Sequence, residues 1–286
     1  MIMTTIGFIG AGKVGTNLGK YLTLNGSNVS GYYSKSKSSA VDAAEFTNSR
    51  TFESLAALAE ASDWIFITTT DHDIASVWNQ LSTLNLANKA ICHCSGSLSS
   101  LVFTGIEATG ATGYSIHPMH AFADRYDSYK TLSASSMSIE GEGAHKNALI
   151  ELFESAGNTV LTLKTDKKPL YHTANVVAAN FVLALIDKSA AYFAECGVDK
   201  DDALKALMPL IRNNIDNIAK AGTTGALTGP IERNDLGTVS AHLKAIPKED
   251  TVLYKEISKE LLSIAGSKHP QRCYADMHEL LKEVEK

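Results

Sequence analysis

At 286 residues, 44% of them hydrophobic, the chain is long enough to bury a sizeable core and predicts one to two domains. A formal net charge of −5 with no basic block argues against nucleic acid or an anionic membrane as a partner. No uninterrupted apolar run approaches about 18 residues. Met1-Ile-Met3 leads straight into a strand without the charged region of a signal sequence, so a cytoplasmic protein is expected.

The first element is a short apolar run, Ile6 to Ile9, that reads as a buried parallel strand. It passes directly into Gly10-x-Gly12-x-x-Gly15, and then into Val14, Leu18 and Leu22 at helical spacing. Strand, glycines and helix in that order predict a dinucleotide site. Gly10 permits the tight turn, Gly12 lets the backbone of Ala11, Lys13 and Val14 approach a pyrophosphate, and Gly15 lets helix and strand pack closely. The helix N-terminus offers its free N–H groups to the phosphates.

The second strand, Asn28 to Tyr33, indicates which dinucleotide binds. A ribose with a free 2′-OH usually meets an Asp or Glu at this strand end. Here the chain continues Ser34-Lys35-Ser36-Lys37-Ser38 without a carboxylate, which suits a 2′-phosphate. The expectation is NADP(H), with Tyr33, Ser34, Lys35 and Ser36 around the ribose.

Next come a weak helix over Ser38–Phe46, an extended piece at Thr51-Phe52, a helix from Ser54 to Glu60 and a continuous apolar strand from Trp64 to Thr68. Asp73 is read as the cap of a helix through Leu81. Strands at Lys89–Cys94, Gly113–Ile116 and Met137–Glu140, a helix at Ala144–Ala156 and a strand at Thr159–Leu163 complete the alternation. Such alternation predicts an α/β fold with a doubly wound parallel sheet.

The character then changes. Pro169 opens a helix that runs to Cys196, apolar on most sides and therefore expected as a buried axis. Helices at Asp201–Ala221 (bent by Pro209), Thr238–Ala245, Glu249–Ala265 and Gln271–Glu285 follow. The boundary is placed near residue 165, giving a dinucleotide domain over 1–165 and an all-helical domain over 166–286. Cys92, Cys94, Cys196 and Cys273 have no disulfide-framework spacing and read as reduced thiols. Cys92-His93-Cys94 is not read as a metal site, because on a strand His93 points away from the two cysteines.

A Rossmann domain followed by a helical domain on one long central helix resembles the 6-phosphogluconate and 3-hydroxyacid dehydrogenase superfamily. Ketopantoate reductase, prephenate dehydrogenase and pyrroline-5-carboxylate reductase are other branches. The closer resemblance is to Rossmann-like proteins with a C-terminal domain of unknown function, which look like alternative ketopantoate reductases. It spans the whole chain, through Gly10-Ala-Gly-Lys-Val-Gly15, Tyr32-Tyr-Ser-Lys-Ser36, His93-Cys-Ser-Gly-Ser97, His117-Pro-Met119 and Leu227-Thr-Gly-Pro-Ile-Glu-Arg-Asn-Asp235. It implies NADPH-dependent reduction of a small 2-oxo acid, ketopantoate to pantoate first, as in pantothenate biosynthesis. Another small carbonyl or imine, or a redox-sensing protein without turnover, is the alternative. It also implies a homodimer paired through the helical domain.

Ligands of open α/β sheets lie beyond the carboxyl ends of the strands. Three polar segments fall there: Thr68-Thr69-Thr70-Asp71 beside the cofactor, Cys94-Ser95-Gly96-Ser97, and Ile116-His117-Pro118-Met119-His120. Ser95 and His117 look like the Ser and His-Pro that prephenate dehydrogenases place next to the reacting carbon, with Ser95 also touching the cofactor. On the long helix, Lys168, His172, Asn175 and Ala179 share one face. The hydroxyacid dehydrogenases carry a catalytic Lys and a following Asn in that register. His172 and Asn175 occupy it here, which leaves the proton donor open between His172 and Lys168. A last constellation supplies Arg233 as a fork for a substrate carboxylate, with Asp235, Thr238 and His242 near it; Asp235 is also a helix N-cap.

Overall fold

The computed structural model describes residues 4–282, so Met1-Ile-Met3 and the end of the last expected helix lie outside the described residues. The apolar runs become β1 (Thr5–Ile9), β2 (Asn28–Tyr33), β3 (Arg50–Thr51), β4 (Trp64–Ile67), β5 (Ala90–His93), β6 (Thr112–Pro118), β7 (Met137–Glu140) and β8 (Val160–Thr162). Between them stand α1 (Lys13–Leu24), α2 (Lys37–Thr47), α3 (Leu55–Glu60), α4 (Asp71–Leu81) and α5 (Lys146–Ser155). Hydroxyls set two of the helix starts: Ser36 accepts from Ser39 N and Ser54 from Ala57 N.

Asp73 is not the cap expected. Thr70 holds the N-cap position of α4, and Asp73 lies inside the first turn, accepting from the Thr70 hydroxyl at 2.9 Å. A carboxylate there still faces the positive end of the helix, which is why the sequence signal looked like a cap.

The strands form one sheet in the order β3-β2-β1-β4-β5-β6-β7-β8. It is mixed rather than wholly parallel: β7 runs antiparallel to β6, with Ile116 opposite Ile139. A parallel neighbour needs a crossover, usually a helix, to return the chain to its starting edge. The β6–β7 connection holds only a 3-10 turn at Ser128–Ala134, and Asn17 of α1 pins it through Asp124, Arg125 and Tyr129. Apolar cores cover both faces of the sheet. Phe8, Tyr32 and Phe66 pack on one side, and Ile65, Ile67, Trp78 and Phe103 on the other, all buried.

The chain divides into two compact units, 1–180 and 181–286. The division falls inside α6 (Lys168–Glu195) rather than near 165. The first turns of α6 are tied to the sheet ends, where Lys168 Nζ donates to the Ser95 carbonyl and the Tyr171 hydroxyl pairs with His117.

The expectation that this long helix forms a buried axis is not met. Only 6% of its most apolar window is buried, and Leu170, Phe181 and Leu183 are exposed. By length and composition alone the helix could cross a membrane. Its apolar residues face all round, so one chain leaves part of that surface uncovered.

In the second unit, α7 (Lys200–Ala226) contains Pro209 and breaks at Gly222 (φ 68°, ψ 173°), so its regular part ends where the sequence predicts. Then come α8 (Pro230–Arg233), a short turn the sequence reading missed, α9 (Leu236–Ala245), α10 (Thr251–Lys268) and α11 (Ala275–Leu281). Ile231, Val239, Leu262, Met277 and Leu281 form this unit's core.

Candidate active site

The parallel strands β1, β4, β5 and β6 end on one edge, and the expected site residues of the first unit gather there. At the end of β1, Gly10 has φ +101°, open to glycine but strained for other residues. A Cβ on Gly15 would lie 2.4 Å from Thr68 Oγ1 and 2.5 Å from the Gly10 carbonyl, so only glycine lets α1 start this close to the sheet. Gly12 differs: apart from its chain neighbours, nothing among the described residues lies within 4 Å of where its Cβ would be. No side chain caps α1 at Gly12, which leaves the N–H groups of its first turn pointing into open space. A pyrophosphate fits that gap.

Around the loop, Ala11 is buried, Lys13 is exposed and Val14 is half-buried. Thr68 Oγ1 donates to the Gly10 carbonyl at 2.8 Å, so its hydroxyl locks the loop rather than facing a ligand. Thr69 is half-buried, and Thr70 is committed to α4.

A cavity of about 190 Å³ opens beyond β2, lined by Tyr33, Ser34, Lys35, Lys37, Thr51 and Phe52. Lys35 is exposed and lies 3.1 Å from Asp73, whose carboxyl it holds below the usual range. Ser36 is partly used as the cap of α2. Glu53 also lines the cavity and pairs with Lys37 at 2.6 Å, so Lys35 and the Ser34 hydroxyl are the rim groups that suit a ribose 2′-phosphate.

At the end of β5, Ser95 is almost fully buried and its hydroxyl is saturated. It donates to Asp71 Oδ2 at 2.7 Å and accepts from Ser97 N and Leu98 N at 3.1 and 3.0 Å. Its role in the structure is therefore to shape the 95–98 turn, not to offer a free hydroxyl. Ser97 Oγ donates to the same Asp71 oxygen at 2.9 Å.

Beneath the turn, His93 has no exposed surface. Its Nδ1 accepts from Ser95 N, so Nε2 carries the proton and donates to the Ser99 carbonyl, both at 3.2 Å. Burial pushes its pKa down to about 4. Cys92 packs in the core on the opposite sheet face from His93's partner Phe103, as the strand alternation required. Burial lifts the Cys94 thiol to about 12.

His117, near the end of β6, faces α6. Its Nδ1 is 2.9 Å from the Tyr171 hydroxyl, and the two rings meet edge-on. Burial pushes its pKa down to about 4, with the nearby Lys168 and His172 charges adding to the shift. His172, one residue beyond Tyr171, stands perpendicular to His117 with ring centroids 6.4 Å apart. Its Nδ1 is buried and has no hydrogen-bond partner among the described residues.

The two imidazoles close on Gly96. A Cβ there would be 2.7 Å from His172 Nδ1 and 3.0 Å from His117 Nε2. Lys168 has no exposed surface, and burial lowers its pKa to about 8 against the pull of Glu140. Glu140 itself accepts from Ser100 N and Oγ. Asn175 donates back to the Tyr171 carbonyl at 2.8 Å.

In the second unit, Asp235 caps α9, accepting from Thr238 N at 3.0 Å and from its hydroxyl at 2.7 Å. His242 Nδ1 pairs with the Tyr254 hydroxyl at 2.8 Å, and both line an apolar cavity of about 350 Å³ with Leu185, Tyr192, Ile231 and Leu261. Arg233 is exposed and makes no ion pair among the described residues.

Sequence reasoning missed Tyr171 and the parts played by Asp71 and Gly96. An aromatic in an apolar helix reads as core, and only its place beside His172 hinted otherwise.

Residues 5–95 match the family described as "NADP oxidoreductase coenzyme F420-dependent", and residues 135–261 match "Domain of unknown function (DUF2520)". No curated protein matches the chain. Among solved structures, a Thermotoga maritima protein is 27% identical, with TM-score 0.73 over 92% of this chain and 99% of that one. A reductive aminase from Aspergillus terreus in complex with NADPH and ethyl-5-oxohexanoate shares the fold at 16% identity, with TM-score 0.61 over 92% and 88% of the two chains. So does a pyrroline-5-carboxylate reductase from Coxiella burnetii, at 13% identity and TM-score 0.62 over 98% and 100%. These matches agree with the superfamily expected from the sequence, with an NADP-dependent oxidoreductase as the enzyme class and with NADP(H) as the cofactor.

Proposed function

We propose that the protein reduces a small 2-oxo acid with NADPH, with ketopantoate to pantoate as the first candidate. The observation that carries this reading is the buried, unpartnered Nδ1 of His172 beside His117 at the ends of the strands. A buried polar atom left without a partner costs free energy, and a substrate oxygen or nitrogen would relieve it. Bound NADPH supplies the hydride. His172 would then protonate the atom that gains charge, and His117 would hold that atom by a hydrogen bond.

Lys168, the rival donor, is fully buried and already donates to the Ser95 carbonyl at 3.2 Å, which favours His172. Asn175 would orient the helix face beside the acid. Ser95 would act through the turn it braces. Arg233 is the proposed fork for the substrate carboxylate, with Asp235, Thr238 and His242 as its neighbours. A small cyclic imine is the second reading, favoured by the fold shared with the reductive aminase and the pyrroline-5-carboxylate reductase.

NADPH oxidation measured against a panel of 2-oxo acids and cyclic imines tests both readings. Tight NADPH binding with no turnover of ketopantoate removes the first candidate, and turnover of no panel member removes the enzyme reading. His172→Ala should lower kcat about 100-fold or more if His172 is the acid. Lys35→Ala should weaken NADPH binding about tenfold and leave NADH nearly unchanged; equal losses for both cofactors would discard the 2′-phosphate assignment.

The same proposal includes a cytoplasmic homodimer. The exposed apolar residues Leu170, Val177, Phe181 and Leu183 support a second copy covering α6. Asp187 and Lys188 on the same helix, paired with Lys200 and Asp250, suit a protein partner better than hydrocarbon. Sedimentation of a monomer at micromolar concentration would contradict it.

A further inference from the structure

His117 touches different neighbours through its two nitrogens. Nδ1 meets the Tyr171 hydroxyl at 2.9 Å. Nε2 faces the Gly96 backbone from the side shared with the unpartnered His172 Nδ1. The ring is neutral at ordinary pH, because burial and the adjacent Lys168 ammonium both oppose a second proton. A neutral imidazole carries one proton, and the hydrogen bond at one nitrogen decides what the other can do. With the proton on Nδ1, His117 would present a lone pair to a substrate carbonyl, which repels its oxygen. With the proton on Nε2, it presents a donor.

Tyr171 is the side chain placed at Nδ1 to select between these states. Burial raises its phenol above the usual range, so it keeps its proton. The hydroxyl lies 2.9 Å from His117 Nδ1, within reach to donate that proton to the ring nitrogen.

We propose that Tyr171 is a positioning residue whose hydroxyl donates to His117 Nδ1, fixing the Nε2–H tautomer and aiming a hydrogen-bond donor at the reacting oxygen or nitrogen. This rests on the reductase reading above. It adds a division of labour: His117 offers a fixed donor, and His172 moves the proton. Gly96 is what lets both reach the same atom, since any side chain there would occupy the space between them.

The test reads the tautomer directly. In uniformly ¹⁵N-labelled full-length protein, long-range ¹H–¹⁵N spectra report which nitrogen of each histidine is protonated, and a His117→Asn variant assigns the signal. The expected result is a protonated Nε2 and a bare Nδ1 for His117. Tyr171→Phe should then shift the ring towards the other tautomer. It should lower kcat about tenfold or more with NADPH affinity unchanged, and have no further effect in the His117→Asn background. A wild-type His117 protonated on Nδ1 overturns the proposal, as does a Tyr171→Phe protein with unchanged tautomer and unchanged kcat. If Tyr171→Phe fails to fold, the wild-type spectrum still decides. An Nε2–H tautomer in a protein that turns over no panel substrate would sink the reductase reading and leave the tautomer assignment standing.

Discussion

The glycine loop after β1 and the histidine cluster after β5 and β6 lie on the same edge of one sheet, yet they are specified in different ways. The loop is local. Three glycines within six positions set most of its shape, with the Thr68 hydroxyl at the end of β4 as its lock. The cluster is assembled from Gly96, His117, Tyr171 and His172, brought together by two strand ends and the start of a helix. A local site survives most distant changes. An assembled one is as good as the packing that holds α6 against the sheet.

Gly12→Ala and Gly96→Ala separate the two regions. At Gly12 a new methyl meets no protein atom, so folding should be affected only through the N-cap, by about 1 kcal/mol at most. NADPH affinity should nevertheless drop about 100-fold, because the methyl occupies the space needed by the pyrophosphate. Fluorescence titration with NADPH, alongside a thermal melt, checks both halves. A protein that binds NADPH normally would mean the phosphates lie elsewhere.

Gly96→Ala predicts the reverse pattern. Its φ is one that any residue adopts, so the backbone tolerates alanine, but the methyl would displace His172 or His117 by contact. Turnover should fall about 10- to 100-fold, since misplaced catalytic groups lose about that much, while NADPH affinity is retained. Equal loss of cofactor binding in this variant would show that the two regions are not separable.

This difference also explains how much the sequence disclosed. The loop, the strand–helix alternation and the polar strand ends at Ser95 and His117 were legible because each is carried by neighbours in sequence. His172 was legible only through a family resemblance, since nothing local marks a helical histidine as unpartnered. Tyr171 was not legible, because its role depends on a strand more than 50 positions away. Exposure on α6 was misjudged for a related reason: an all-round apolar helix predicts burial, but not whether one chain supplies enough surface to achieve it. The antiparallel β7 escaped because the pattern of a strand does not record its direction.

A further effect is one of pH, and it too separates the regions. His93 and His117 both have pKa values pushed down to about 4, against about 6.5 in an unfolded chain. Between those values the unfolded chain binds protons that the folded one refuses, so stability falls as pH drops from about 6.5 towards 4. Above that window both states are neutral and the contribution is flat. For His93 the cause is concrete: a proton on Nδ1 would face the Ser95 N–H that now donates to it, setting donor against donor beneath the 95–98 turn. The glycine loop contains no histidine and should not contribute to this slope. Thermal midpoints at fixed ionic strength should therefore decline between pH 6.5 and 4.5, and His117→Asn should make the decline shallower by removing one of the two groups. An identical slope in that variant would mean His117 is protonated as readily folded as unfolded. The buried neutral ring on which the donor geometry depends would then have to be abandoned.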